Sequence, residues 1–140
     1  MEITTSTIIT ATPEQIWQAL LNFPNYTVWN PFIKNISGDV QLHKKIKVQI
    51  DKMTFTPTII ELIDNKKLVW IGRLGIKGLF DGRHSFEITV LSPNECLFSQ
   101  SEKFSGLLAP LFKNKLKTNT KQGFIAMNQA LKELIENKIM

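Results

Sequence analysis

A single cysteine, Cys96, and two histidines, His43 and His84, are all the thiol and imidazole groups in this chain of 140 residues. One cysteine excludes an internal disulfide and agrees with a reducing compartment. The histidines stand far apart in the pattern and show no zinc-ligand spacing, so no metal is expected. Long apolar runs are missing as well. No stretch approaches the roughly 18 residues of a membrane span, and stable membrane insertion is not expected. The opening MEITTSTIIT has no basic region, apolar core or small-residue cleavage site, so a secretory leader is not expected and the reading is cytoplasmic. There is no G-x-S-x-G elbow, and Cys96 has no basic neighbour in sequence to activate it. Gly72, Gly75, Gly78 and Gly82 form neither a P-loop nor a dinucleotide fingerprint, and no cofactor is implied.

What is present fits one globular domain over residues 1–140, with 43% hydrophobic and 21% charged residues. The net charge is +5, and part of the excess sits at Lys113, Lys115, Lys117 and Lys121. Lys113, Lys117 and Lys121 repeat every four residues, which on a helix reads as a solvated face. Without arginine forks and surface aromatics it does not read as a nucleic-acid surface.

Element order carries the most information. Ile3, Thr5, Thr7 and Ile9 share one face of a first strand. Thr12-Pro13-Glu14-Gln15 has the form of a capping box with proline at the first helical position, and Ile16, Leu20 and Phe23 follow at helical spacing. Pro24 stops that helix, and Asn25 to Ile33 reads as a short helical turn or a compact loop ending at Pro31. Strands are expected near Ile33 to Leu42, over Ile46 to Ile50, from Phe55 to Ile63 with an irregularity at Pro57, and around Trp70. In the strand after Phe80, the residues Phe80, His84, Phe86, Ile88 and Val90 are expected on one face. In the last strand that face holds Cys96, Phe98, Gln100, Glu102 and Phe104.

The final segment carries an apolar stripe of Leu108, Phe112, Leu116, Phe124, Met127, Leu131 and Ile135, which weakens at Thr118 to Gln122. A sheet of about six strands needs its apolar face covered, and only this segment is long enough to cover it. A helix of about 30 residues is about 45 Å long but only about 10 Å wide. A sheet curving around it can leave space, bordered by Trp70, Phe80, Phe86, Phe98, Phe104 and Phe112.

Three polar residues interrupt that apolar face: His84, Gln100 and Glu102. If the last hairpin pairs its apolar faces, His84 and Glu102 lie opposite or diagonal to each other, but a one-residue change in the turn would send Glu102 outward. Such a pair is the start of acid–base chemistry and equally a plain way to satisfy a buried histidine.

With these residues in place, the chain resembles the START-like, or SRPBCC, superfamily, in particular its polyketide cyclase/dehydrase and lipid-transport group. The resemblance rests on ATPEQIWQAL (Ala11 to Leu20), FPNYTVWNPF (Phe23 to Phe32), GRHSFEI (Gly82 to Ile88) and SEKFSGLLAPLF (Ser101 to Phe112). It implies an α+β helix-grip fold: a curved antiparallel sheet wrapped around a long C-terminal helix, with two short helices after the first strand and a hydrophobic cavity between sheet and helix. By motif, Trp29, Phe86 and Phe112 match pocket-lining places, and His84 and Glu102 match the polar positions of the two strand motifs. The expected site is therefore Trp29, Trp70, Phe80, His84, Phe86, Phe98, Gln100, Glu102, Phe112 and Leu116. The family spans carriers, receptors, cyclases and chaperone co-activators, so fold does not settle function. The leading expectation is a binding protein for a small hydrophobic molecule. A cyclase/dehydrase-type enzyme using His84 and Glu102, and an interaction module using the lysine-rich helix back, are the alternatives. Oligomeric state is left open between monomer and dimer.

Overall fold

The first strand and the last helix lie against each other, and the rest of the chain is arranged around that contact. The computed structural model describes residues 1–73 and 78–139; the side chains of residues 112, 113, 115–117, 138 and 139 lie outside the described set. In chain order the elements are β1 (Glu2–Ile9), α1 (Pro13–Leu21), a 3-10 turn (Phe23–Asn25), α2 (Tyr26–Trp29), β2 (Ile33–Ser37), β3 (Lys47–Ile50), β4 (Met53–Phe55), β5 (Thr58–Ile63), β6 (Lys67–Arg73), β7 (Asp81–Ser92), β8 (Glu95–Ser105), a second 3-10 turn (Ala109–Phe112) and α3 (Lys113–Ile139).

The sheet is antiparallel and curved around α3. Five strands run in the order β1-β8-β7-β6-β5, and β2-β3-β4 form a smaller sheet. The two are joined where Lys45 bridges Thr58, with Ile46 N–H donating to the Pro57 carbonyl at 2.9 Å and Ile59 N–H to the Lys44 carbonyl at 3.0 Å. The expectation of one sheet of about six strands is corrected accordingly. Pro57 supplies no N–H for a ladder and divides the expected Phe55 to Ile63 strand into β4 and β5. The strand expected over Ile33 to Leu42 stops at Ser37, because Gly38 turns the chain with φ of +121°.

Helix α1 forms as its capping box requires. The Thr12 hydroxyl accepts from Gln15 N–H at 3.2 Å while the Gln15 side chain accepts from Thr12 N–H at 2.9 Å. Its buried face, Ile16, Trp17 and Leu20, joins Tyr26, Ile33, Ile59, Leu68, Phe86 and Phe98 in the main core.

In α3 the residues Phe124, Met127, Leu131 and Ile135 are buried at the helical repeat. The weak part of the stripe is continuous helix, with Thr118, Asn119, Lys121 and Gln122 exposed: the pattern fades there because that turn meets solvent. The helix approaches the chain after α2 so closely at Gly123 that a Cβ there would lie 2.1 Å from the Phe32 ring, which packs edge-on to Phe124 at 5.6 Å. Gly123→Ala is therefore expected to destabilise the protein by about 1–3 kcal/mol in urea unfolding, despite the better helix propensity of alanine. A more stable variant would mean that the Phe32 ring swings away freely.

Candidate functional site

The site is built on the two longest strands. β7 and β8 pair so that His84 faces Glu102 and Phe86 faces Gln100 directly. Alternation then sends His84, Phe86 and Ile88 from β7, and Cys96, Phe98, Gln100 and Phe104 from β8, into the interior. Glu102 follows the same face, its side chain 16% exposed and its Oε2 fully buried. One expected member of this face is left uncovered: Val90, paired with Cys96, is 56% exposed. A register irregularity between Val90 and Ser92 carries the hairpin end, with Leu91 also exposed, out into solvent.

His84 sits among rings. Phe86 stacks on it at 4.3 Å between centroids, Phe124 of α3 lies at 4.8 Å, and Trp70 of β6 meets it edge-on at 5.1 Å. Its Nε2 is 3.0 Å from Gln100 Oε1. Gln100 Nε2 donates to Asn128 Oδ1 at 2.6 Å, and Asn128 Nδ2 donates to Thr5 Oγ1 at 2.9 Å. This chain of amides crosses from β7 through β8 and α3 to β1, and it has a direction. Because Gln100 presents its oxygen to the ring, the proton of His84 is on Nε2, and Nδ1 carries a bare lone pair.

That lone pair points to the side of Glu102, with Nδ1 to Oε2 at 3.7 Å. The contact has the geometry of a loose ion pair but not the charges. Burial pushes the imidazole down to about 4, against the opposing effect of the Gln100 bond, and pushes the Glu102 carboxyl up to about 8. At neutral pH both groups are uncharged. Glu102 Oε2 has no hydrogen-bond partner among the described residues. Gly82 makes room for the carboxyl, since a Cβ there would lie 2.9 Å from Glu102 Oε1.

The remaining expected residues are distributed as follows. Trp70, Phe86 and Phe98 are buried in the core around His84. Phe80 is half-buried and pairs with Phe104 at 5.9 Å. Trp29 lies elsewhere, in an open groove between α2 and α3 with Val28, Ala130, Glu133, Leu134 and Asn137. A second cleft of about 240 Å³ separates α1 from the end of α3, lined by Gln15, Gln18, Ala19, Asn22, Asn25, Leu134 and Ile135. Neither of these two lies under the sheet. The side chains of Phe112 and Leu116 lie outside the described residues, as do those of Lys113, Lys115 and Lys117, while Lys121 is exposed. Three contributors to the site, Phe124, Asn128 and Thr5, were not expected there. Asn128 follows Phe124 by four residues in the apolar stripe of α3, and Thr5 is on the inward face of β1, so each shows as a polar or aromatic residue at a core position. Among the described residues no helix is long and apolar enough to cross a membrane.

A curved antiparallel sheet closed on a long C-terminal helix, with an aromatic-walled polar pair at their junction, places the protein in the START-like, or SRPBCC, class. Within it the chain belongs to the polyketide cyclase/dehydrase and lipid transport family, whose sequence profile matches residues 1–136. Among curated proteins none matches the sequence. Solved structures share the fold at low identity. A START superfamily protein from Mycobacterium smegmatis is 16% identical, with 98% of each chain covered and a TM-score of 0.78. The Zhui aromatase/cyclase from Streptomyces sp. R1128 is 11% identical over 100% of this chain and 96% of its own, with a TM-score of 0.81. The norcoclaurine synthase of Thalictrum flavum, solved with a transition-state analogue, is 12% identical over the same shares, with a TM-score of 0.78.

Proposed function

We propose that the protein binds a small hydrophobic molecule, lipid-like or aromatic, between the sheet and the C-terminal helix, with its polar end at Glu102 and His84. The observation that carries this reading is the buried Glu102 Oε2, without a hydrogen-bond partner among the described residues, beside an imidazole nitrogen in surroundings rich in aromatic rings. Buried polar atoms ordinarily have partners. One such atom left open within an apolar wall, with an imidazole nitrogen 3.7 Å away, matches a ligand site with a few convergent polar groups. The test is mass spectrometry of freshly purified protein, native against denatured, with solvent extraction of whatever separates. A reproducible extra mass in the native state, hydrophobic on extraction, is the expected result. An empty protein that also fails to take up apolar fluorescent probes would reject the reading.

A second reading is supported by the same pair. A protonated carboxyl beside a neutral imidazole supplies an acid and a base at one place, as a cyclase or dehydrase requires. On that reading, a poly-β-ketone substrate is converted by the native protein and at least about 100-fold more slowly by Glu102→Gln. Equal rates for the two proteins would leave binding as the function.

A further inference from the structure

The direction of the hydrogen-bond chain fixes more than the histidine tautomer. We infer that the ligand presents a neutral hydroxyl group to this pair, its oxygen accepting from the Glu102 carboxyl and its proton donated to His84 Nδ1. This rests on the ligand-binding reading above and names the chemical class of the group that the site takes.

The argument starts at the far end. Asn128 gives its amide N–H to Thr5, so it turns its oxygen to Gln100. Gln100 gives its N–H to that oxygen and turns its own oxygen to His84. The imidazole must then donate from Nε2 and can only accept at Nδ1. The other wall of the gap is Glu102, whose Oε2 faces Nδ1 at 3.7 Å and forms no ion pair with any lysine or arginine among the described residues. Burial favours the protonated form of a carboxyl, and it raises this one to about 8. The gap therefore offers one donor and one acceptor. A single oxygen about 2.8 Å from both atoms would stand beside the line that joins them, and because Oε2 is sealed from solvent the Glu102 carboxyl has to turn to admit it.

Other polar groups satisfy only part of this. A carbonyl oxygen accepts from Glu102 and leaves Nδ1 unpaired. A carboxylate or phosphate brings a negative charge among aromatic rings and two neutral partners, with no cation to meet it among the described residues. An ammonium group donates to both atoms but requires Glu102 to ionise in surroundings that oppose ionisation. A hydroxyl alone both donates and accepts, without moving a proton. Gly82 fits the same arrangement, because a side chain at that position would press on the Glu102 carboxyl and shift the gap.

The experiment uses four probes on one skeleton: naphthalene, 2-naphthol, 2-naphthoate and 2-naphthylmethylammonium. Each is titrated at pH 7 into the full chain and into Glu102→Gln and Glu102→Leu. The native protein should bind 2-naphthol about tenfold more tightly than naphthalene, and the two charged probes no more tightly than naphthalene. Glu102→Gln, which keeps a neutral donor, should retain the preference for the hydroxyl, and Glu102→Leu should lose it. Nitrogen-15 NMR of the His84 ring should show Nε2 protonated and Nδ1 bare. Equal affinity for naphthol and naphthalene would overturn the inference and leave the binding reading standing. So would tightest binding of the ammonium probe with its loss in Glu102→Gln, or a proton on Nδ1. Failure of every probe to bind would remove the inference together with the binding reading. If Glu102→Leu does not fold, the ranking of probes on the native protein and on Glu102→Gln decides the question.

Discussion

Glu102→Gln should be more stable than the native protein above pH 7 and about equal to it near pH 5. The folded state holds the Glu102 carboxyl at about 8 against an ordinary value of 4.5, because burial disfavours the charged form. Between those two values the native state binds the proton that the unfolded chain has already released. Stability therefore falls as pH rises through this window, and the full penalty is present above pH 8. His84 works in the opposite direction. Its folded value of about 4 lies below the ordinary 6.5, so its contribution is lost as pH falls from 6.5 toward 4. The two slopes oppose each other between about pH 4.5 and 6.5, which leaves the native protein with a stability plateau there and a decline from 6.5 to 8. Glutamine has the shape of the protonated carboxyl and cannot ionise. In the variant the alkaline decline from this site should vanish, leaving only the acid limb of His84. The expected gain at pH 8.5 is on the order of 2–4 kcal/mol, which for a chain of this size corresponds to roughly 10 °C in Tm. Thermal melts of the two proteins from pH 4 to 9 measure it. Parallel curves would show that Glu102 ionises freely in the folded state, and that its side chain turns to solvent.

Much of this geometry was visible in the sequence, and the part that was not has a physical reason. The capping box of α1, the alternation of β7 and β8, and the stripe of α3 are local patterns, each readable within a window of a few residues. The polar positions His84, Gln100 and Glu102 on that face were visible too, but whether Glu102 points inward depended on the register. Which of them would meet depended on the hairpin turn, where the register irregularity between Val90 and Ser92 determines the pairing. A turn residue count does not reveal such an irregularity. The partners of Gln100 lay further off still. Asn128 belongs to another element and Thr5 is 123 residues from it along the chain. Each is an ordinary residue in its own segment, and only the closing of α3 onto β1 and β8 makes them one chain of bonds. The tautomer of His84, and with it the character of the site, is a property of that closure.

The same closure makes Gln100 the most sensitive position in the site. Its side chain is fully buried and both ends of the amide are used, one on His84 and one on Asn128. Gln100→Leu keeps the bulk and removes both bonds, leaving the His84 Nε2–H and the Asn128 Oδ1 in apolar surroundings. Each stranded group costs about 1–3 kcal/mol, so a loss of about 2–6 kcal/mol is expected in urea unfolding. Asn128→Leu strands Gln100 Nε2 and frees Thr5, which is only partly buried and can turn to water. In the double variant the Gln100–Asn128 bond is absent from both sides, with neither partner left behind. It should therefore be less destabilised than the sum of the single variants by about 1–3 kcal/mol. Strict additivity would mean that the amides act independently and impose no direction on the imidazole. The pH dependence gives a second readout. The Gln100 bond is the influence that raises the His84 value against burial, so without it the imidazole should titrate still lower. A rise instead would show that the space vacated by the amide admits water to the ring. In that case what holds the site in its neutral state is the seal formed by the buried amides, more than the bond to His84.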